Sequence, residues 1–85
     1  MNKEIIMYTF TTCPYCIKAK KILESEGIEY KEIEISGDDQ KLKELEEKTG
    51  YRTVPQIFAG DTFIGGSDDL AKIHREGNLT EVISK

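Results

Sequence analysis

No stretch of this chain stays apolar long enough to cross a bilayer, and Met1-Asn2-Lys3-Glu4 leads straight into a strand-like run without the apolar core of a secretion signal. Neither sign of charge dominates. A net charge of −4 with both signs interspersed argues against a general nucleic-acid or anionic-membrane binder and serves solubility. Linkers, internal repeats and low-complexity segments are also missing, so the 85 residues are expected to form one domain, residues 1–85, near the smallest size that a single hydrophobic core supports. The two cysteines cannot act as a staple for so small a fold, because closing a loop of a few residues removes little entropy from the unfolded chain. The lone histidine, His74, has no pattern tying it to the thiols and reads as structural. A soluble, reducing, cytoplasmic setting is the expectation that these absences leave.

The feature that is present is Cys13-Pro14-Tyr15-Cys16, set between the apolar run Ile5-Ile6-Met7-Tyr8 and the helix-like stretch from Ile17 to Glu26. A strand entering a helix through this loop places Cys13 at the helix N-terminus, where free backbone N–H groups and the positive end of the macrodipole favour a thiolate. Cys16, one turn later, begins the stripe Ala19, Ile22 and Leu23 and faces the core. The pair therefore reads as an attacking thiol followed by a resolving one. Any disulfide between them is chemistry and not scaffold. Pro14 suits the first helical turn, and Tyr15 offers an exposed ring beside the reactive sulfur.

The remaining pattern alternates strands and helices. Glu4 to Thr9 predicts a strand buried on both faces, and Pro14 to Gly27 predicts a helix stopped by glycine. Ile28 to Ile35 predicts a second strand, although its alternation slips phase between Tyr30 and Ile33. Ser36-Gly37-Asp38-Asp39 offers an N-cap for a helix ending near Gly50, with Leu42 and Leu45 as a thin apolar face and the charge run Lys41 to Lys48 turned to solvent. Val54 to Phe58 and Thr62 to Ile64 flank a turn at Ala59-Gly60-Asp61 and predict a β-hairpin. A third helix follows Gly65-Gly66-Ser67 and reaches about Arg75, with a short tail helix from Thr80. Tyr8, Phe58 and Phe63 read as core. Asn78-Leu79-Thr80 matches a glycosylation sequon, which is moot inside a cell. The order βαβαββα implies an α/β fold with a four-stranded mixed β-sheet covered by helices.

Three segments together resemble the glutaredoxins, small members of the thioredoxin-like fold family. They are Tyr8-Thr9 with Thr12-Cys13-Pro14-Tyr15-Cys16, then Arg52-Thr53-Val54-Pro55-Gln56-Ile57-Phe58, then Ile64-Gly65-Gly66-Ser67-Asp68-Asp69-Leu70. A lone Cys-x-x-Cys also serves as half a zinc site, so the order and spacing of all three carry the resemblance. The resemblance implies a thiol-disulfide oxidoreductase with Cys13 and Cys16 as its catalytic pair. It also implies that Pro55 is cis and faces the thiols, leaving the Val54 backbone to pair with an extended substrate; a trans proline on an edge strand is the alternative. Glutathione is the implied co-substrate, with no tightly bound cofactor. Its implied binding residues are Tyr15, Thr53, Val54, Pro55, Gly66, Ser67 and Asp68. The helix start after Gly66 would meet its carboxylate and Asp68 its ammonium; the plainer reading is a helix cap by Ser67 or Asp68.

Two positions depart from the family pattern. Phe10 and Thr11 stand where many members carry a basic residue, and Glu47 stands where many carry Gln or a base, so Arg52 or Lys18 is left to supply positive charge. Ser67 replaces a cysteine found in some relatives. The implied reaction is reduction of protein disulfides and glutathione mixed disulfides, at a potential of roughly −200 to −230 mV. Implied partners are glutathione and disulfide-containing or glutathionylated proteins, with a monomer as the default state. The alternatives are a redoxin recharged by thioredoxin reductase that donates electrons to ribonucleotide reductase, and a dimeric iron-sulfur or other metal-binding module. The sequence identifies no metal ligand set within one chain.

Overall fold

The computed structural model describes residues 4–84. Its elements are β1 (Ile5–Thr9), α1 (Pro14–Ser25), β2 (Tyr30–Glu34), α2 (Asp39–Thr49), β3 (Gln56–Ala59), β4 (Thr62–Gly65), α3 (Ser67–Arg75) and α4 (Leu79–Ser84). The strands form one sheet in the order β2-β1-β3-β4. The β1–β2 pair is parallel, whereas β3 runs antiparallel to both β1 and β4, giving the mixed sheet expected from the sequence.

Side-chain alternation along the strands divides the core into two layers. Ile5, Met7, Ile57 and Ala59 point to one side and pack with Ala19 and Leu23 of α1, Leu70 of α3, and Leu79 and Ile83 of α4. Phe58 points to the other side and packs with Leu45 of α2, together with half-buried Tyr8, Ile33, Leu42 and Phe63. Strand β1 is therefore not fully buried on both faces as its apolar run suggested: Ile6 and Tyr8 are half-buried because the single helix α2 covers that side thinly. The phase slip in β2 has the same explanation. Tyr30 joins the α1 layer while Ile33, three residues later and on the opposite face, joins the α2 layer.

Charge completes the thin layer. Lys41 and Lys48 hold their ammonium groups 5.2 and 5.1 Å from the ring centres of Tyr8 and Phe58. The charged run of α2 is thus only partly a solvated face. Two of its lysines lie over aromatic rings, where the ring quadrupole attracts a cation. Phe58 also meets Tyr8 edge-on at 5.8 Å and Phe63 at 5.1 Å.

Local signals explain where the elements stop. Helix α1 ends in a Schellman motif: the Gly27 N–H donates to the Glu24 carbonyl and the Ile28 N–H to the Leu23 carbonyl, with Gly27 at φ +69°. Helix α2 starts where the Asp38 carboxylate accepts the Lys41 N–H at 3.0 Å, and ends at left-handed Gly50. Strand β3 begins one residue after Pro55, not at Val54 as the apolar run suggested. The proline's missing N–H therefore costs the ladder nothing. His74 bonds Glu26 at 2.6 Å between α3 and the end of α1, a structural placement remote from the thiols.

Candidate active site

Cys13 is the N-cap of α1. Its extended backbone (φ −145°, ψ 104°) lets the sulfur turn back and accept the Cys16 N–H at 3.2 Å, while Pro14 opens the helix at no hydrogen-bond cost. The same sulfur lies 3.8 Å from the Val54 carbonyl, toward which its S–H points. The two sulfurs are not bonded to each other. Cys13 is only 9% exposed, so it forms the floor of a recess and does not stand on an open surface. Cys16 is 1% exposed. Burial, reinforced by the hydrogen bond with Cys13, pushes the Cys16 thiol up to about 12; hydrogen bonding to the Phe10 backbone and the charge of Lys20 pull the other way. At neutral pH Cys16 is therefore a protonated, shielded thiol beside an accessible partner.

A cleft of about 580 Å³ opens over Cys13. Its walls are Phe10, Thr12, Pro14 and Tyr15 from the thiol loop, Tyr51 to Pro55 from the segment before β3, and Gly66 to Asp69 from the start of α3. Every site residue expected from the sequence other than the buried Cys16 lines this one cleft. Its volume lies within the range of about 300–1,000 Å³ usual for small-molecule sites. Tyr15, 60% exposed, forms the outer lip. The Val54-Pro55 bond is cis, as the resemblance implied. Of the two cations considered for the missing positive charge, Arg52 lines the cleft and Lys18 does not; Glu47 also lies outside it. Arg52 is itself engaged, 3.2 Å from Glu46.

Three residues that shape this cleft, Gln56, Asp69 and Tyr51, were given no role of their own in the sequence, although Gln56 and Asp69 stand inside the quoted motif segments. Gln56 is fully buried and acts as an internal strut: its amide N–H groups donate to the Tyr51 and Thr53 carbonyls at 2.9 and 3.2 Å, and its oxygen accepts from the Thr49 hydroxyl at 2.9 Å. It holds the Tyr51–Pro55 segment against α2. A polar residue between apolar neighbours in a short strand was the available signal. Asp69 accepts the Gly66 N–H at 2.9 Å and the Tyr51 hydroxyl at 2.8 Å, tying the start of α3 to the segment before β3. Its carboxylate raises the Tyr51 pKa, keeping that hydroxyl a donor. The cap of α3 is thus made by Asp69 and not by Ser67 or Asp68. The Ser67 hydroxyl is buried without a hydrogen-bond partner at the cleft, and Asp68 is exposed.

Replacing Gln56 with leucine would leave the Tyr51 and Thr53 carbonyls without this donor, each costing about 1–3 kcal/mol where water cannot reach, while the Thr49 hydroxyl keeps the Leu45 carbonyl. The expected result is a loss of about 2–4 kcal/mol in urea denaturation and a reduced kcat/KM for disulfides. A variant with unchanged stability would show that water replaces the strut.

The site is thus an accessible N-cap thiol facing a cis proline with a shielded thiol one turn behind. The glutaredoxin family model matches residues 5–64. The chain belongs to the glutaredoxin family. It is 42% identical over 80 residues to a glutaredoxin of Pseudomonas aeruginosa, an alignment covering 94% of this chain and 95% of that protein. It is 43% identical over 82 residues to glutaredoxin 3 of Escherichia coli K12, covering 96% of each. The fold superposes on the crystal structure of a buckwheat glutaredoxin-glutathione complex with a TM-score of 0.89 at 33% identity, covering 95% of this chain and 76% of that one. As a glutaredoxin, the chain is a thiol-disulfide oxidoreductase with the thioredoxin-like fold. Among the described residues no group of three or more His, Cys, Asp or Glu side chains is placed to hold a metal ion.

Proposed function

We propose that this glutaredoxin is glutathione-dependent, and that it reduces protein disulfides and glutathione mixed disulfides with Cys13 as nucleophile and Cys16 as resolving thiol. The observation that carries this reading is the single cleft in which the Cys13 sulfur, the Val54 carbonyl and the Gly66-Ser67-Asp68 helix start come together. The buckwheat relative, solved in complex with glutathione, supports the same ligand for a cleft of this fold. The start of α3 offers N–H groups to the γ-glutamyl carboxylate and Asp68 accepts from its ammonium, while the Thr53-Val54-Pro55 backbone receives the cysteinyl part and Tyr15 flanks the sulfur.

In the first step the Cys13 thiolate attacks the glutathionyl sulfur of a mixed disulfide. A Cys13–glutathione bond forms, the client–sulfur bond breaks, and the departing client thiolate takes up a proton. A second glutathione thiolate then attacks the sulfur held on Cys13, releasing oxidised glutathione and restoring the thiolate. With a protein disulfide, Cys13 attacks one client sulfur and the other leaves as a thiolate; Cys16 then attacks Cys13, expelling the captured client sulfur as a second thiolate and leaving a Cys13–Cys16 disulfide for glutathione to reduce. Cytoplasmic action as a monomer on glutathionylated and disulfide-containing proteins, ribonucleotide reductase among the candidates, belongs to the same proposal.

The test follows release of a glutathionylated peptide by mass spectrometry, in excess glutathione, for the intact protein and Cys16→Ser. Release by both, with glutathione trapped on Cys13 in the variant, is expected. An intact protein that is inert in glutathione yet reduces protein disulfides with thioredoxin reductase would overturn glutathione dependence.

A further inference from the structure

The dithiol route requires Cys16 to lose its proton, yet its burial opposes that. Two influences favour its thiolate, first the hydrogen bond with the Phe10 backbone and then, more weakly, the charge of Lys20. Lys20 follows Cys16 by four residues, which places the two on one face of α1 a single turn apart. The Lys20 ammonium does not swing freely into solvent: Glu32 of β2 holds it at 2.7 Å. Glu32 is fixed in turn by the Thr9 hydroxyl, which is fully buried on β1 and donates to it at 2.6 Å. A buried hydroxyl, a carboxylate and an ammonium thus form a chain from the sheet to the turn of α1 that carries Cys16. The anchored partners hold Lys20 cationic, since the Glu32 hydrogen bond raises its pKa, while Lys20 and Thr9 lower that of Glu32.

We infer that Lys20, held by Glu32 and Thr9, is a positioning residue for the resolving step: its fixed charge stabilises the Cys16 thiolate as that sulfur closes on Cys13. In this step the Cys16 proton passes to solvent. The Cys16 sulfur then forms a bond to the Cys13 sulfur, and the bond from Cys13 to the captured group breaks, its electron pair leaving with that group as a thiolate. No outside oxidant is required, because the captured group is reduced as the Cys16 thiol is oxidised. The two reactions of this site therefore depend on different charges. Capture by Cys13 uses the helix terminus, whereas closure by Cys16 uses Lys20.

This inference rests on Cys16 being the resolving thiol but not on glutathione, and the experiment keeps the two apart. Reduced protein is mixed with dithiobis(nitrobenzoate), an aromatic disulfide whose yellow thiolate is released once when Cys13 is captured and once more when Cys16 closes. Stopped-flow absorbance resolves the two phases for the intact protein, Lys20→Gln, Lys20→Arg and Glu32→Gln. Each tenfold loss of thiolate slows closure by about threefold, because a more basic sulfur is a better nucleophile. Lys20→Gln is expected to slow the second phase relative to the first by roughly three- to fivefold, and Lys20→Arg to restore it, since arginine keeps the charge and the pairing with Glu32. Glu32→Gln leaves the cation but not its anchor, and an intermediate rate is expected. An unchanged ratio of phases in Lys20→Gln, or failure of Lys20→Arg to restore it, overturns the inference. Release of only one equivalent of the yellow thiolate by the intact protein overturns it through Cys16 itself, whatever the outcome with glutathione.

Discussion

Replacing Cys13 with serine is expected to abolish disulfide reduction, lowering the rate by at least about 10³-fold, while leaving the fold intact. The two effects separate because the sulfur has two jobs. As N-cap it accepts the Cys16 N–H, and serine is among the best residues for that position, so the change in stability should stay below about 1 kcal/mol. In its proposed role as nucleophile it has no substitute, since a serine hydroxyl remains protonated at a helix terminus where a thiol can ionise. Cys16 cannot take over. It is 1% exposed, protonated at neutral pH, and lies behind Cys13 relative to the cleft. Turnover of a mixed disulfide together with the thermal midpoint checks both halves. Retained turnover in the serine variant would assign the attack to Cys16 and reverse the roles of the two cysteines.

Gly65→Ala, beside the cleft, is expected to cost more stability than a methyl group added at any other glycine whose surroundings are known. Gly65 sits at φ +132°, a conformation that side chains rarely adopt and that costs on the order of 1–3 kcal/mol. A Cβ there would also overlap the Asp69 side chain, with Asp69 Cβ and Cγ only 2.6 Å away. Asp69 would have to leave the Gly66 N–H and the Tyr51 hydroxyl, losing hydrogen bonds of about 1 kcal/mol each. Together these amount to about 3–5 kcal/mol. At about 4–8 °C per kcal/mol for a domain of this size, the midpoint falls by well over 10 °C. Gly37→Ala provides the comparison, because Gly37 is also left-handed (φ +78°) but an added methyl there would meet nothing within 4 Å. Backbone strain alone should then cost it about 1–2 kcal/mol. Equal losses in the two variants would mean that Asp69 yields freely, and that the tie between α3 and Tyr51 contributes nothing.

The parts of this protein that were legible in its sequence are those fixed by neighbours along the chain. Cys13 and Cys16 are a turn apart, so a strand followed by a helix determines which thiol is the cap and which faces inward. Gly27 and Gly50 end helices by supplying left-handed conformations, and Asp38 caps α2 with its own side chain. The Gly65-Gly66-Ser67-Asp68 segment was recognisable as a helix entry for the same reason. Strand edges were less legible. Tyr30 and Ile33 serve opposite layers, and a period-2 pattern read in isolation cannot express a strand with an apolar residue on each face.

Contacts between distant segments were decided only by the tertiary structure. Nothing local indicates that Asp69 reaches back to Tyr51, or that Glu32 meets both Thr9 and Lys20. The same holds for the depth of Cys13, since a helix terminus is exposed in isolation and becomes a cleft floor only when the Val54-Pro55 segment and the start of α3 close around it. The sequence by itself determined the fold class, the order of its elements and the identity of the reactive pair, because periodicity, capping and turn chemistry act over a few residues. The tertiary structure decided which charges face those thiols and which polar side chains hold the cleft open, because hydrogen bonds and ion pairs depend on distances that exist only after the sheet has brought β1, β2 and β3 side by side.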